Sequence, residues 1–314
     1  GGSYAAPRVG GVRTGIDIGE QVVSPYLWER GVKRLDAVAL THAHMDHLDG
    51  LNAVLENFRV GELWVSRDAD SAAYRELVER AREKGVRVVH RGRGESFQWD
   101  GVSGRVLWPE ETNQAGPANN NDSLVLRLDH GGLALLLPGD IERQVESALA
   151  TSGENVRAEF LKVPHHGSQT STTEELLGAT KPRVAVVSVG ETNPFGHPHP
   201  DVVGRLRAAG VEVLRTDRNG AVTAVSDGQR LEVRSFVSNP PADAAESAAS
   251  SGPEAATDVD KARVGAKSPA EMEANRSSGS RAKAGGKDKK KRAKRDSRKK
   301  KERRARQRGG AEER

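Results

Sequence analysis

"LDAVALTHAHMDHLDGLNAVLENF", residues 35–58, is the stretch on which the fold turns. Its first part, LDAVALT, is a short apolar run and predicts a buried strand. Its last part, LNAVLENF, predicts an apolar helix. Between them, three histidines and two aspartates share the ten positions 41–50. Side chains alternate along a strand, so His42 and His44 can point the same way where it ends. Asp46 and His47 then fall on the turn into the helix. Imidazole nitrogens and carboxylate oxygens are ligands for divalent cations. One loop thus offers two pairs of ligands to one cavity, half of what a dinuclear centre needs. A polar loop with scattered histidines explains any one of these residues, but not the whole H-x-H-x-D-H array at a strand end.

Four residues do not close two sites, and two further strand ends offer donors. LALLLPGD (133–140) runs out in Asp140, whose carboxylate can either bridge two cations or cap the helix predicted for IERQVESALA. FLKVPHHGS (160–168) ends an apolar strand in the pair His165 and His166. A Gly/Pro-punctuated loop, NPFGHPHP (193–200), adds His197 as a phosphate contact or as the acid for a leaving oxygen. Ser168, with its neighbours in GSQTS, can donate to phosphate oxygens or simply shape the loop.

Around these points, strand-like and helix-like segments mix throughout residues 14–238, which indicates an α/β or α+β fold rich in sheet. SAAYRELVERAREKG (71–85) has helical apolar spacing, and HPDVVGRLRAAG (199–210) is a second helix. VRVVH (86–90), GRVLWP (104–109) and PRVAVVSVG (182–190) read as strands. DSLVLRLDHGGLALLLPGD (122–140) reads as a hairpin turning at Gly131 and Gly132. VEVLRTDRNGAVTAVSDGQRLEVRSF (211–236) reads as a strand plus a hairpin, with NG and DG as turns.

The sequence resembles the metallo-β-lactamase superfamily, and more narrowly the C-terminal hydrolase domain of the ComEC-type DNA-uptake competence proteins. The phrases that carry the likeness are DIGEQVVSPYLWERGVKRLDAVALTHAHMDHLDGL, NDSLVLRL, LLLPGDIE, LKVPHHGSQTS and VAVVSVGETNPFGHPHP, within residues 14–235. The resemblance implies an αββα sandwich with a dinuclear site at one sheet edge and two divalent ions, Zn²⁺ or Mn²⁺. It implies that His42 and His44 hold one ion, that Asp46, His47 and His165 hold the other, and that Asp140 bridges them. His165 is preferred to His166 because it sits nearer the strand end, which leaves His166 for substrate. The third histidine that many superfamily members supply is replaced by NNNDSLVL, so Asn121, Ser123 or water would complete the first site.

The same resemblance implies a DNA nuclease that degrades the non-transported strand, with Asp46 or Asp140 orienting the attacking water. A small phosphodiester or ester substrate, and a catalytically silent DNA-handling module, are the rival readings. In that family the domain follows a membrane-embedded channel module, so the parent protein would lie in the cytoplasmic membrane with this domain extracytoplasmic. The chain begins GGSYAAP without an initiating methionine, and we read it as a fragment whose first sheet strands lie upstream of Gly1. It contains no cysteine, which excludes disulfides, thiolate ligands and a cysteine nucleophile.

Charge divides the chain. Residues 281–308 hold 17 lysines and arginines against 3 acids, a surplus of 14 that leaves the remainder 9 charges negative for the overall +5. The expected organisation is a hydrolase domain over 1–238, a disordered Pro/Ala/Ser-rich linker over 239–280 and a disordered basic tail over 281–314. Such a tail suits nucleic acid or an anionic membrane surface.

Overall fold

In the computed structural model, which describes residues 16–110 and 115–238, a π-helical turn (Gly19–Val23) and helix α1 (Ser24–Glu29) lead into strand β1 (Arg34–Leu40). The ligand-rich loop follows, then α2 (Met45–Leu48) and α3 (Leu51–Asn57). Strand β2 (Arg59–Val65), helix α4 (Ala72–Glu83) and β3 (Arg87–His90) complete a sheet ordered β1-β2-β3, parallel throughout. The α4 helix starts where its sequence says it should: the Ser71 hydroxyl accepts the Tyr74 N–H as an N-cap.

The second sheet holds β4 (Ser96–Trp99), β5 (Val102–Trp108), β6 (Val125–His130), β7 (Leu133–Leu137), β8 (Phe160–Lys162), β9 (Val184–Val187) and β10 (Glu212–Arg215), in the order β10-β9-β8-β7-β6-β5-β4. Strands β7 to β10 run parallel, and β4 to β7 run antiparallel. Helices α5 (Arg143–Thr151), α6 (Glu174–Thr180) and α7 (Pro200–Ala208) connect the parallel strands. A short α8 (Thr216–Asn219) precedes the hairpin β11 (Val222–Ser226) and β12 (Leu231–Ser235).

Strand alternation sorts the side chains into layers. On β7, Ala134 and Leu136 face α5 and α7 in one core, with Ile141, Val145, Leu161 and Leu206. The next residue, Leu137, faces the other sheet, where it meets Trp64, Val106, Leu124 and Leu126. On β2, Leu63 and Val65 face α3 and α4, while Trp64 points inward between the sheets. Helices, sheet, sheet and helices therefore stack as an αββα sandwich. Parallel strands covered on both faces need near-continuous apolar runs, which is why VAVV and LALLL carry little polar alternation.

The parallel pairs place β1, β2 and β3 ends side by side, with Leu40 opposite Val65 and Val65 opposite His90. The ligand loop after β1 and Asp140 after β7 come together at one edge of the sandwich, the place where ligands gather in such sheets.

Two sequence readings change. Asn219-Gly220 is not a hairpin turn: Asn219 ends α8, and its buried side chain accepts the Arg215 N–H. The hairpin turns instead at Asp227-Gly228 alone. Asp140 does not cap the following helix either, since the capping position of α5 is Glu142. The linker 239–280, the basic tail 281–314 and residues 1–15 lie outside the described residues. No helix among the described residues is long and apolar enough to cross a membrane.

Candidate metal centre

The loop after β1 is organised by Thr41. Its hydroxyl lies 3.2 Å from Nδ1 of both His42 and His47, so one side chain sets two rings. His42 is buried, and burial together with the neighbouring His47 lowers its pKa to about 3, so it stays a neutral imidazole. Its Nε2 faces His44 Nδ1 at 3.0 Å.

Asp140 reaches the same place from β7. It follows Gly139, whose φ of +63° favours glycine. A β-carbon on Gly139 would stand 2.7 Å from Ser123 Cβ and 3.1 Å from Thr41 Cβ, so only glycine lets the strand end pass between them. The Ser123 hydroxyl accepts the Asp140 N–H at 2.9 Å and touches His42 Nδ1 at 3.3 Å. Asp140 Oδ2 then lies 3.0 Å from His47 Nε2 and 3.2 Å from His166 Nε2.

His166 comes from the turn after β8. Both His165 (φ +46°) and His166 (φ +53°) are left-handed, which costs roughly 1–2 kcal/mol per residue for non-glycine. Strain of this kind gathers at functional sites. The turn sends the two rings to different sides. His166 donates from Nδ1 to the Ser188 carbonyl at 2.7 Å, which leaves Nε2 as the metal-facing nitrogen. His165 lies 3.2 Å from Glu142 Oε1, at an angle off a hydrogen bond.

Asp46 completes the group, with Oδ2 3.4 Å from His47 Nε2 and 3.3 Å from His166 Nε2. Asp46, His47, Asp140 and His166 thus offer two carboxylate oxygens and two imidazole nitrogens that all lie within 4.8 Å of one another. Ligand bonds of about 2.0–2.2 Å in a tetrahedron separate their donors by about 3.4 Å, so this spacing fits one divalent cation. The electrostatics agree. Burial pushes the Asp140 and Asp46 carboxyls up, but hydrogen bonds from His166 and His47 outweigh it and hold both well below the usual carboxylate range. Burial works against a charged His166 as well, yet the bonds to Asp140 and Asp46 prevail and raise it to about 9. A proton there occupies the place a cation would take.

Lys162 completes the floor. Its fully buried ammonium is 3.6 Å from Asp140 Oδ1, and neither atom has a hydrogen-bond partner. Burial lowers the lysine pKa, against the pull of Asp140. Sequence reading missed it, although a lone charge inside the apolar run FLKVP was a signal. It missed Glu142 as well, which accepts from Thr170 Oγ1 at 2.9 Å and Asn120 Nδ2 at 3.2 Å.

The structure places the other sequence-picked residues as follows. His42 and His44 pair with each other, and among the described residues no further His, Cys, Asp or Glu joins them as a third donor. Ser123 sits on Nδ1 of His42, the nitrogen turned away from His44. The side-chain oxygen of Asn121 accepts the Glu142 N–H at 2.9 Å. Ser168 bonds Thr170 at 3.0 Å within its own loop. His197 packs edge-on against His165, ring centroids 5.7 Å apart, and burial lowers its pKa, helped by His165 and His166. His166, not His165, is the histidine in the four-donor cluster. The preference for His165 rested on its nearness to the strand end, whereas two left-handed residues turn His166 towards the cluster.

Comparison with known proteins sets this geometry in a family. Residues 10–191 match the family model of the metallo-β-lactamase superfamily. The chain is 38% identical over 208 residues to ComE operon protein 3 of Bacillus subtilis, covering 66% of this chain and 26% of that protein. It is 35% identical over 201 residues to competence protein ComA of Neisseria gonorrhoeae (64% and 26%). It is also 31% identical over 221 residues to recombination protein 2 of Haemophilus influenzae (70% and 26%). The chain spans about a quarter of the length of each of these relatives. With the four-donor cluster at the sheet edge and a family match over residues 10–191, the chain belongs to the metallo-β-lactamase superfamily.

Proposed function

We propose that this domain is a metal-dependent phosphodiesterase that cleaves DNA, serving DNA internalisation as the non-transported strand is degraded. The observation that carries the reading is the convergence of Asp46, His47, Asp140 and His166 on one point from three separate strand ends. The names of the relatives, which refer to competence and recombination, support DNA as the substrate.

Asp46, His47, Asp140 and His166 would hold one divalent cation, Zn²⁺ or Mn²⁺, and His42 with His44 a second. A bound cation supplies Lewis-acid polarisation of a phosphoryl oxygen and charge stabilisation in the transition state. The chain's own residues do the rest. Asp46 is the more exposed carboxylate of the cluster and orients an attacking water. Asp140, buried and held by the Ser123 hydroxyl, fixes the position of His47 and His166. His197, half-buried beside His165, contacts the phosphate or protonates the leaving oxygen. Its lowered pKa suits the contact role at neutral pH and the acid role only when a phosphate lies against it.

Incubation of labelled single- and double-stranded DNA with the metal-stripped chain, then with Mn²⁺ or Zn²⁺, tests this. Cleavage should need the cation and fall at least 100-fold in Asp140→Ala and His44→Ala. Turnover of a small phosphodiester with none of DNA would move the assignment to a small-substrate hydrolase. A metal-loaded chain that turns over neither substrate would leave a silent DNA-handling module.

A further inference from the structure

Lys162 is a lone charge inside the apolar run FLKVP. It stands on β8 beside Val186 of β9, and its chain neighbours Leu161 and Val163 are fully buried. Its Nζ is buried 3.6 Å from Asp140 Oδ1, and neither atom has a hydrogen-bond partner. Taking an ammonium out of water is costly, so a residue needed for packing alone would be apolar here. The position of the charge, directly behind a donor of the cluster, points to a use in the centre.

Asp140 divides its two oxygens between two neighbours. Oδ2 lies on the cluster side, 3.0 Å from His47 Nε2 and 3.2 Å from His166 Nε2. Oδ1 is turned to Lys162. The strand end that carries the carboxylate is itself held, since the Ser123 hydroxyl accepts the Asp140 N–H and Gly139 passes between Ser123 and Thr41. The other acid of this floor, Glu142, directs its carboxylate to Thr170, Asn120 and His165. Lys162 is therefore the positive group that meets the second oxygen of Asp140.

We infer that Lys162 is a resident cation of the centre: its ammonium takes Oδ1 of Asp140, leaves Oδ2 as the one oxygen for a divalent ion, and sets the charge of the loaded site. The inference rests on the metal-dependent phosphodiesterase reading and adds the residue that matches the centre to its substrate. Asp46 and Asp140 bring two negative charges, which one divalent ion cancels, and His47 and His166 ligate as neutral imidazoles. Lys162 leaves one positive charge over, the complement of the single negative charge on a phosphodiester. The bridge expected between two cations then joins a divalent ion and an ammonium. Two consequences of opposite sign follow from the charge. It opposes loading of the metal, and it attracts an anion to the loaded site.

The test titrates Mn²⁺ by calorimetry into the metal-stripped whole chain, as wild type, Lys162→Met, Lys162→Gln and Lys162→Arg. Met and Gln keep much of the bulk and lose the charge, whereas Arg keeps the charge. Removing a unit charge a few ångströms from a divalent ion should tighten Mn²⁺ in the Met and Gln variants by roughly 10- to 100-fold, with Lys162→Arg near wild type. Orthophosphate is then added to the Mn²⁺-loaded chains, and its binding is read from the broadening of its ³¹P resonance. It should bind more weakly in the two neutral variants than in wild type. A lysine that only supports the fold gives no such pair of opposite changes. Mn²⁺ affinity at or below wild type in the folded Met and Gln variants, or undiminished phosphate binding, overturns the inference.

A crystal structure of the Zn²⁺-loaded wild type reads the same claim without a substitution. Asp140 Oδ2 on the ion with Oδ1 on Lys162 Nζ supports it, and Oδ1 on an ion overturns it even if no neutral variant folds. None of these measurements uses turnover. DNA left uncleaved by the loaded wild type would remove the phosphodiesterase reading and leave the resident cation standing.

Discussion

At the scale of single residues, the site is a set of small commitments that leave particular atoms facing one point. Thr41 orients two imidazoles, Ser188 fixes the proton on His166, and Ser123 holds the Asp140 backbone. The H-x-H-x-D-H array stood out in sequence because clustered histidines and an aspartate at a strand end suit divalent cations, whereas Asp140 taken alone read equally as a helix cap. The choice between His165 and His166 could not be read, because it depends on two left-handed φ angles that no residue type announces. Lys162 was hidden for a similar reason, since strand register alone decides that it points at Asp140. The charge state of His166 gives a pH prediction. Its pKa in the folded, metal-free chain is raised to about 9 from an ordinary 6.5. A raised folded value means that its stabilising contribution is fully present below pH 6.5 and is lost as pH rises through about 9. Thermal melts in chelator should therefore show wild type ahead of His166→Asn at about pH 6, with the gap closing by about pH 10. A gap that stays constant over that window would show that His166 does not hold the proton. Cations must displace the same proton, so metal affinity should climb across this range.

At the scale of elements, the sheets aim the ligands and the turns finish the work. The β6–β7 hairpin was readable because Gly131 and Gly132 sit between two apolar runs. The short α6 was not, since TEELLGAT offers only two buried leucines, Leu176 and Leu177, to mark its face. The NG dipeptide misled because Asn219 serves as a buried hydrogen-bonding group at a helix end and not as a hairpin corner. Asp140 depends on the passage of Gly139 between Ser123 and Thr41. Gly139→Ala should therefore cost about 1–3 kcal/mol in stability through its left-handed φ alone. It should also weaken metal binding by moving Asp140, which a titration of Mn²⁺ would read. An alanine variant with wild-type stability and affinity would mean that the strand end tolerates a β-carbon there.

At the scale of the whole molecule, a mixed α/β fold rich in sheet was legible in the alternation of apolar runs and helical spacings, whereas the αββα sandwich followed only from the likeness of the motifs to the metallo-β-lactamase superfamily. The charge of the chain is legible too, but its use is not. An acidic body and a basic segment at 281–308 do not by themselves say what the segment touches. If it holds DNA through phosphates, deleting residues 281–314 should weaken association with single-stranded DNA and flatten its dependence on salt. Fluorescence anisotropy at several salt concentrations measures both. An unchanged salt slope would assign the segment to something other than DNA.

The donor set itself is open to direct measurement by calorimetric titration of Mn²⁺ into the metal-stripped chain and three variants, Asp140→Ala, His166→Ala and His165→Ala. Loss of Asp140 or His166 should weaken binding by more than the roughly 10- to 100-fold that loss of a group merely supporting a ligand costs, while His165→Ala keeps an affinity close to wild type. Wild-type affinity in His166→Ala, with binding abolished in His165→Ala, would contradict the four-donor centre.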